Sequence, residues 1–203
     1  MSGIYVRNVD LNGADLMGAN LSNADLEGAD LRGANFRDAN LHNGRLSGGN
    51  LQRADLHGAN LKNTDFQGAN LQKANLGGTV LQDASLQGAD LLQAYLNGSS
   101  LKNARLQGAD LSHANIMGVD LSGADLNTAA LFRAQMSGST LKNTNLANAD
   151  LRGVRLGGLG NIRAAQLRGA NLKGVNVKNT DLSCPDAACR LAPDLSLENI
   201  NAS

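Results

Sequence analysis

The sequence predicts an all-β solenoid in which the chain turns a corner every five residues and four such sides make one coil. Three regularities predict it. An apolar centre, mostly leucine, recurs at every fifth position from Val6 to Leu156, usually with alanine two positions before it and glycine or asparagine two positions after it. A period of five fits neither a helix, around which it would drift, nor a flat strand, where alternate centres would face opposite ways.

The centres and the small residues before them predict the core. If four sides close a coil, each centre stacks on the centre twenty residues later at about 4.8 Å, the spacing of paired strands. Four leucines per coil leave little room beside them, which accounts for alanines such as Ala54 and Ala124. The bulkier Ile4 and Val9 fall in the first coil, where we expect the core to be open on one side.

The residues two positions after the centres predict the corners. A type II turn needs a positive φ at its third residue, which glycine adopts freely and asparagine tolerates. Gly18, Gly28 and Asn43 hold this position. Glycine dominates it on two sides and asparagine on a third, so we expect different turn types on different sides.

The repeats themselves resemble a known family. The run Ala-Asp-Leu-Met-Gly, Ala-Asn-Leu-Ser-Asn, Ala-Asp-Leu-Glu-Gly, Ala-Asp-Leu-Arg-Gly from Ala14 to Gly33 closely resembles the pentapeptide-repeat proteins. The resemblance covers residues 4–184 and implies a right-handed quadrilateral β-helix with four repeats per coil. Thirty-six repeats in this sequence would make about nine coils, a rod roughly 43 Å long. We expect residues 1–184 to form this β-helix.

The C-terminal end of the chain departs from the pattern. One residue is inserted within residues 157–161, which predicts either a bulge or a small protrusion carrying Leu159. Pro185 cannot donate to a further ladder, so residues 185–203 are expected to form a C-terminal cap or tail. Cys184 and Cys189 are spaced for a small disulfide loop in an oxidising compartment and, equally, for two free thiols in a reducing one.

Composition limits the classes of partner. The 18 Lys plus Arg residues balance the 18 Asp plus Glu residues, and no basic tail or acidic block points to direct nucleic-acid binding. No signal peptide or run of eighteen apolar residues occurs, so we expect no membrane association. The cytoplasm is the default location, with periplasm or thylakoid lumen as the alternative if a targeting segment was removed. The N-terminal coil shows no comparable cap, so we expect either a homodimer partner at this end or upstream sequence that has been lost.

Candidate chemistry is sparse. Asp90 and Asp110 stack one coil apart like a catalytic pair, yet both occupy the position just before a centre, which the repeat reserves for aspartate or asparagine, and nothing near them is buried enough to shift a pKa. His42, His57 and His113 map to three different sides, which argues against a shared metal. We therefore predict no enzymatic activity, no cofactor and no metal site.

Candidate partner contacts lie at outward positions. Lys62, Lys102 and Lys142 share one side, two coils or about 9.6 Å apart. They predict either a ladder for an anionic partner or an ordinary solvated face, since aspartates share that side. Leu92 and Phe132 share another side and predict either a hydrophobic contact patch or isolated exposed apolar residues.

These patterns favour a rigid, non-enzymatic scaffold or protein-binding module whose partner is unknown. Some pentapeptide-repeat proteins resemble duplex DNA and protect type II topoisomerases from quinolones or peptide toxins. A mimic of this length would carry on the order of twenty-five uncompensated negative charges, whereas this chain has a net charge of zero. A second alternative is a lumenal or periplasmic protein of a photosynthetic organism, because the C-terminal cysteines loosely resemble some of those.

Overall fold

The solenoid is built from stacked four-sided coils. The structure, a computed structural model, describes residues 2–156. Parallel β-bridges join each residue before a centre to the residue twenty positions later, from Tyr5 with Asp25 to Gln135 with Arg155. One bridge occurs every five residues, so each coil has twenty residues and four sides, as the repeat predicts. The right-handed winding and the total of nine coils stay predictions, and residues 157–203, with the inserted residue, the cap and both cysteines, lie outside the described residues.

Each side is a single bridging residue followed by a turn. Between residues 2 and 156 there is no helix and no strand longer than one bridging residue, because the corners take up the other positions of each repeat. We name each side after one of its centres near the N-terminus: the Leu11, Leu16, Leu21 and Leu26 sides. The centres of a side recur every twenty residues.

Backbone hydrogen bonds run between neighbouring coils on all four sides. The centre donates to the coil that follows, as Leu51 N–H does to the carbonyl of Asn70 at 2.7 Å. The residue before the centre donates to the preceding coil, as Asn50 N–H does to the carbonyl of Ala29 at 2.9 Å. Each described coil between the first and the last is thus fixed by the coils on both sides of it.

The preference for aspartate or asparagine before the centre has a structural cause. In the part of the chain that the structure describes, the N–H of the residue after each centre takes no part in the backbone ladder. Where the residue before the centre is aspartate or asparagine, its side-chain oxygen accepts this N–H instead. Asp10 accepts from Asn12 at 3.0 Å and Asp110 from Ser112 at 2.8 Å. These are Asx turns, and they satisfy the one donor that the ladder leaves over.

All corners between Gly3 and Gly153 share one backbone conformation. The residue two positions after each centre has a positive φ, between 52° and 75°, and the residue before it does not. At most corners the next N–H bonds back to the carbonyl of the centre, as Ala54 does to Leu51 at 3.0 Å, which completes a type II turn. The expectation of different turns on different sides is wrong. Because one ladder joins all coils, non-glycine residues such as Thr128 must adopt the same turn.

The core is a continuous column of centres with small residues between them. From Leu21 to Leu156 every centre is at most 4% exposed. The small position sometimes holds a hydroxyl, and most of these hydroxyls bond the backbone: Thr64 donates to the carbonyl of Leu41 at 2.9 Å and Thr144 to that of Leu121 at 2.8 Å. The Ser99 hydroxyl has no such partner among the described residues. The first coil is less covered, and several of its apolar side chains are only partly buried: Ile4, Val6, Val9, Leu11 and Leu16.

Candidate partner-binding surface

Only the outward side chains can contact a ligand or a partner, because the inward ones form the core. Among residues 2–156 no three His, Cys, Asp or Glu side chains come together in a group that could hold a metal ion. His42 is used structurally: its Nδ1–H donates to the carbonyl of Lys62 at 3.0 Å. No helix within the described range has the length and apolar character of a membrane span.

The stacked aspartates of the Leu11 side have structural partners. Asp90 accepts from the N–H of Leu92 at 3.0 Å and from the side-chain amide of Gln72 at 2.6 Å. Asp30 is paired with Arg32 at 2.5 Å. The hydrogen bond from that guanidinium lowers the pKa of the Asp30 carboxyl. A carboxyl with a lowered pKa stays ionised at neutral pH and cannot serve there as a general acid.

A four-charge cluster on the Leu26 side was missed by sequence reasoning. Asp25, with a side chain only 1% exposed, lies 2.7 Å from the Arg7 guanidinium and 3.4 Å from that of Arg45, and Arg45 also reaches Glu27 at 3.0 Å. The hydrogen bond from Arg7 lowers the pKa of the Asp25 carboxyl, and burial opposes it without overcoming it. The signal was opposite charges eighteen or twenty residues apart, which one coil brings together.

The predicted lysine ladder is partly neutralised. The bridges place Lys62, Lys102 and Lys142 on the Leu21 side, two coils apart. Lys62 is half-buried, whereas Lys102 and Lys142 are exposed. The ammonium of Lys102 pairs with Asp120 at 3.1 Å, so the middle lysine of the ladder already has an anionic partner. A role for the ladder in partner contact stays a prediction.

Leu92 and Phe132 lie on the Leu11 side but are half-buried rather than fully exposed. The ring of Phe132 is covered by cationic groups. The guanidinium carbons of Arg133 and Arg152 lie 5.0 and 5.5 Å from its centroid, and the His113 ring meets it edge-on at 5.5 Å. Phe132 therefore supports charged side chains, and its role with Leu92 as an apolar contact patch stays a prediction.

An exposed apolar pair lies on the neighbouring side. Tyr95 and Met117, 53% and 42% exposed, belong to adjacent coils of the Leu16 side. The N–H of Gly98 donates to the carbonyl of Met117 at 3.0 Å and ties the two repeats together. Tyr95 takes a position where the repeat favours aspartate or asparagine, and that departure was a signal that the sequence offered.

A second surface is formed by the turn residues from Arg53 to Arg133, at the corner where the Leu11 side meets the Leu16 side. We call it the basic corner. In five successive coils its turn residue, at φ between 57° and 60°, is neither glycine nor asparagine. All five side chains are exposed. The other three corner columns of residues 2–156 hold only glycine, asparagine, aspartate and threonine at this position. At about 4.8 Å per coil the basic corner is roughly 19 Å long. Its members are Arg53, Lys73, Gln93, His113 and Arg133.

These coils define a four-sided repeat solenoid with a solid core. The sequence profile described as pentapeptide repeats matches the chain in eight copies, over residues 1–38, 34–72, 64–103, 94–131, 124–159 and 161–186. The chain belongs to the pentapeptide-repeat family.

Solved structures of this family are similar to the chain. HetL from the cyanobacterium Nostoc sp. strain PCC 7120, a protein involved in heterocyst differentiation regulation, is 32% identical over 88% of this chain and 89% of its own, with a TM-score of 0.41. Trypsin-treated QnrB1, a plasmid-mediated fluoroquinolone resistance protein, is 19% identical over 89% and 91%, with a TM-score of 0.58, a likeness of fold alone. A thylakoid-lumen pentapeptide repeat protein of Arabidopsis thaliana is 33% identical over 47% and 66%, with a TM-score of 0.24. No match was found among curated proteins.

Proposed function

We propose that the protein is a rigid, non-enzymatic binding module that holds a partner protein against its outward side chains. The observation that most directly supports this function is the exposed pair Tyr95 and Met117, in adjacent coils of one side. Neighbouring exposed apolar residues are typical of protein contact sites, and tyrosine is enriched among residues that dominate binding energy.

The backbone supports the same function. Because every described coil is bonded to its neighbours on all four sides, outward side chains are carried by a preorganised frame. A rigid frame loses little conformational entropy when a partner binds. This property suits a scaffold better than an enzyme that must close around a substrate.

Affinity capture from extracts of the source organism tests the proposal. The bait is the full chain, compared with a Tyr95→Asp, Met117→Asp variant. Tyr5→Asp, Met17→Asp is the matched control, because both of its side chains are even more exposed but lie in the first coil. We expect at least about a tenfold loss of the captured partner with the first variant and none with the control. Equal recovery by all three baits would remove the pair as a contact.

Protection of a type II topoisomerase is the alternative function. The likeness to QnrB1 supports a shared fold, but balanced charge weighs against DNA mimicry: the chain has as many Lys plus Arg as Asp plus Glu, and aspartates such as Asp25, Asp30 and Asp150 are paired with arginines. A gyrase supercoiling assay with a fluoroquinolone distinguishes the two functions. Dose-dependent protection at stoichiometric protein would favour the alternative.

A location in the cytoplasm accompanies the first proposal, and a lumenal or periplasmic location accompanies the other alternative. Cell fractionation with an antibody to the chain separates them. Mass spectrometry with and without reductant adds whether Cys184 and Cys189 are joined, because a joined pair supports an oxidising compartment.

A further inference from the structure

We infer that the basic corner, formed by Arg53, Lys73, Gln93, His113 and Arg133, docks an acidic segment of a partner protein. This inference rests on the proposed binding function and adds the chemical class of the partner. It depends on three observations: unpaired charge, a backbone conformation that is unfavourable for these residues, and an aromatic support beneath two guanidinium groups.

The cations of the basic corner have no anionic partner among residues 2–156. The side chains of Arg53, Lys73 and Arg133 form no ion pair and donate no hydrogen bond to any group in residues 2–156. In contrast, Arg32 and Arg152, one position earlier in the same kind of turn, each pair with the aspartate of their own repeat. The charges of the basic corner are therefore available to an external anion.

The backbone at this corner works against the side chains it carries. A positive φ is unfavourable for residues with a Cβ other than asparagine and aspartate. Every other column relieves this at most turns with glycine or asparagine, yet here five turns in succession, from Arg53 to Arg133, carry long or cyclic side chains. An unfavourable conformation that recurs at a single surface feature indicates that the side chains have a use there.

Phe132 holds part of the basic corner in place. The Arg133 and Arg152 guanidinium groups both lie over its ring, at 5.0 and 5.5 Å. Cation–π contact limits the motion of both groups. The guanidinium N–H donors of Arg152 are taken by Asp150, whereas those of Arg133 bond no group in residues 2–156. A planar guanidinium fixed in this way is suited to bidentate recognition of a carboxylate.

The surroundings favour an acidic peptide over a nucleic acid. Asp90, Asp110 and Asp150 form a column on the Leu11 side, close to the corner, and would repel a polyanion that is charged all round. A peptide with carboxylates on one face can contact the cations of the basic corner without placing negative charge beside these aspartates. The coil spacing of about 4.8 Å is close to the rise of about 5.4 Å per helical turn, so glutamates one turn apart can face two or three successive coils. Tyr95, two residues beyond Gln93, lies where an apolar residue of the same segment would pack.

The test measures binding of the full chain to a fluorescent fourteen-residue helical peptide with glutamates one turn apart. The protein variant is Arg53→Gln, Lys73→Gln, Arg133→Gln, which should fold because Gln93 already occupies the same corner conformation. The control variant is Arg37→Gln, Arg105→Gln, Arg155→Gln. It removes the same charge at positions outside both the basic corner and the lysine ladder.

We expect at least about tenfold weaker peptide binding by the corner variant, near-unchanged binding by the control, and binding that weakens as salt rises. A peptide with glutamine in place of glutamate should not bind. Absence of binding to the glutamate peptide, or equal losses in both variants, would overturn the inference. So would tighter binding of a single-stranded oligonucleotide that depends on the same three cations.

The two proposals fail separately. If the acidic peptide does not bind while Tyr95→Asp, Met117→Asp still loses its captured partner, the basic corner has no such role and the binding function stands. If that variant and the corner variant both retain every partner of the wild-type chain, the binding function itself is contradicted for this part of the surface.

Discussion

The carboxylate of Asp25 and the guanidinium of Arg7, in neighbouring coils, lie 2.7 Å apart, and the Asp25 side chain is 1% exposed. Arg45, in the next coil, reaches the same carboxylate at 3.4 Å. One buried charge is thus shared by two cations and links the first three coils. A charge withdrawn from water is tolerated only where such partners compensate for its lost hydration.

Removing this carboxylate should loosen the N-terminal coils. We expect Asp25→Ala to leave Arg7 and Arg45 with Glu27 as their only shared anion and to increase hydrogen exchange of residues 2–28, because the charge-assisted hydrogen bonds to the buried carboxylate are lost. Asp30→Ala is the control, since Asp30 is more exposed and, among residues 2–156, forms an ion pair only with Arg32 of its own repeat. Equal exchange in the two variants would show that the shared pair does not link the coils.

Stability should fall in acid. The pKa values of the Asp25, Asp30 and Asp150 carboxyls are lowered in the folded protein, in each case chiefly by a hydrogen bond from an arginine. Their contribution is present above the unfolded pKa of about 3.9 and is lost as the pH falls through the lower folded values. Urea midpoints should therefore stay nearly level above about pH 5 and decrease below about pH 4. In Asp25→Asn the decrease should be shallower.

The corner conformation can be tested where no side chain interferes. Gly118 has φ of 65°, and no atom lies within 4 Å of the place where a Cβ would stand. Gly118→Ala should lower the free energy of unfolding by about 1–2 kcal/mol, from backbone strain alone. Gly118→Asn should cost less because asparagine tolerates this region. Chemical denaturation measures both, and an alanine variant as stable as wild type would contradict the strain.

The side chain before each centre should contribute through its Asx turn. Asp110→Ala removes the acceptor of the Ser112 N–H and should cost about 0.5–1.5 kcal/mol of unfolding free energy. One coil later the opposite change can be made, because Ala130 has no side-chain oxygen to accept the Phe132 N–H. An asparagine at this position would add the acceptor. Ala130→Asn should therefore stabilise the protein. Thermal unfolding of the two variants checks the pair, and a destabilised Ala130→Asn would show that the turn contributes little.

The coil period and the core followed from the sequence because they depend on one spacing repeated many times. The uniform turn did not follow, since the identities at the corners vary between Gly18 and Thr128 while the ladder between coils fixes their backbone. Local composition reports what a turn prefers, whereas the stacked bridges decide what it adopts.

Surface features were harder to predict because side chains that touch across adjacent coils are about twenty residues apart in the sequence. The sequence shows that Phe132 faces outward, but its cover comes from His113 and Arg152, each in an adjacent coil. In the same way Asp25 reads as an ordinary repeat residue until Arg7 and Arg45 are placed on either side of it.

The twenty-residue bridge pattern has a consequence for how such a chain changes its surfaces. Adding one whole repeat between Lys73 and Gln93 would keep every core position filled. It would also move every later residue to the next side of its coil. Arg53 and Lys73 would then lie at one corner of the solenoid and Arg133 at the next. A five-residue duplication can therefore rearrange recognition without touching the interior, whereas adding four repeats would only lengthen the rod.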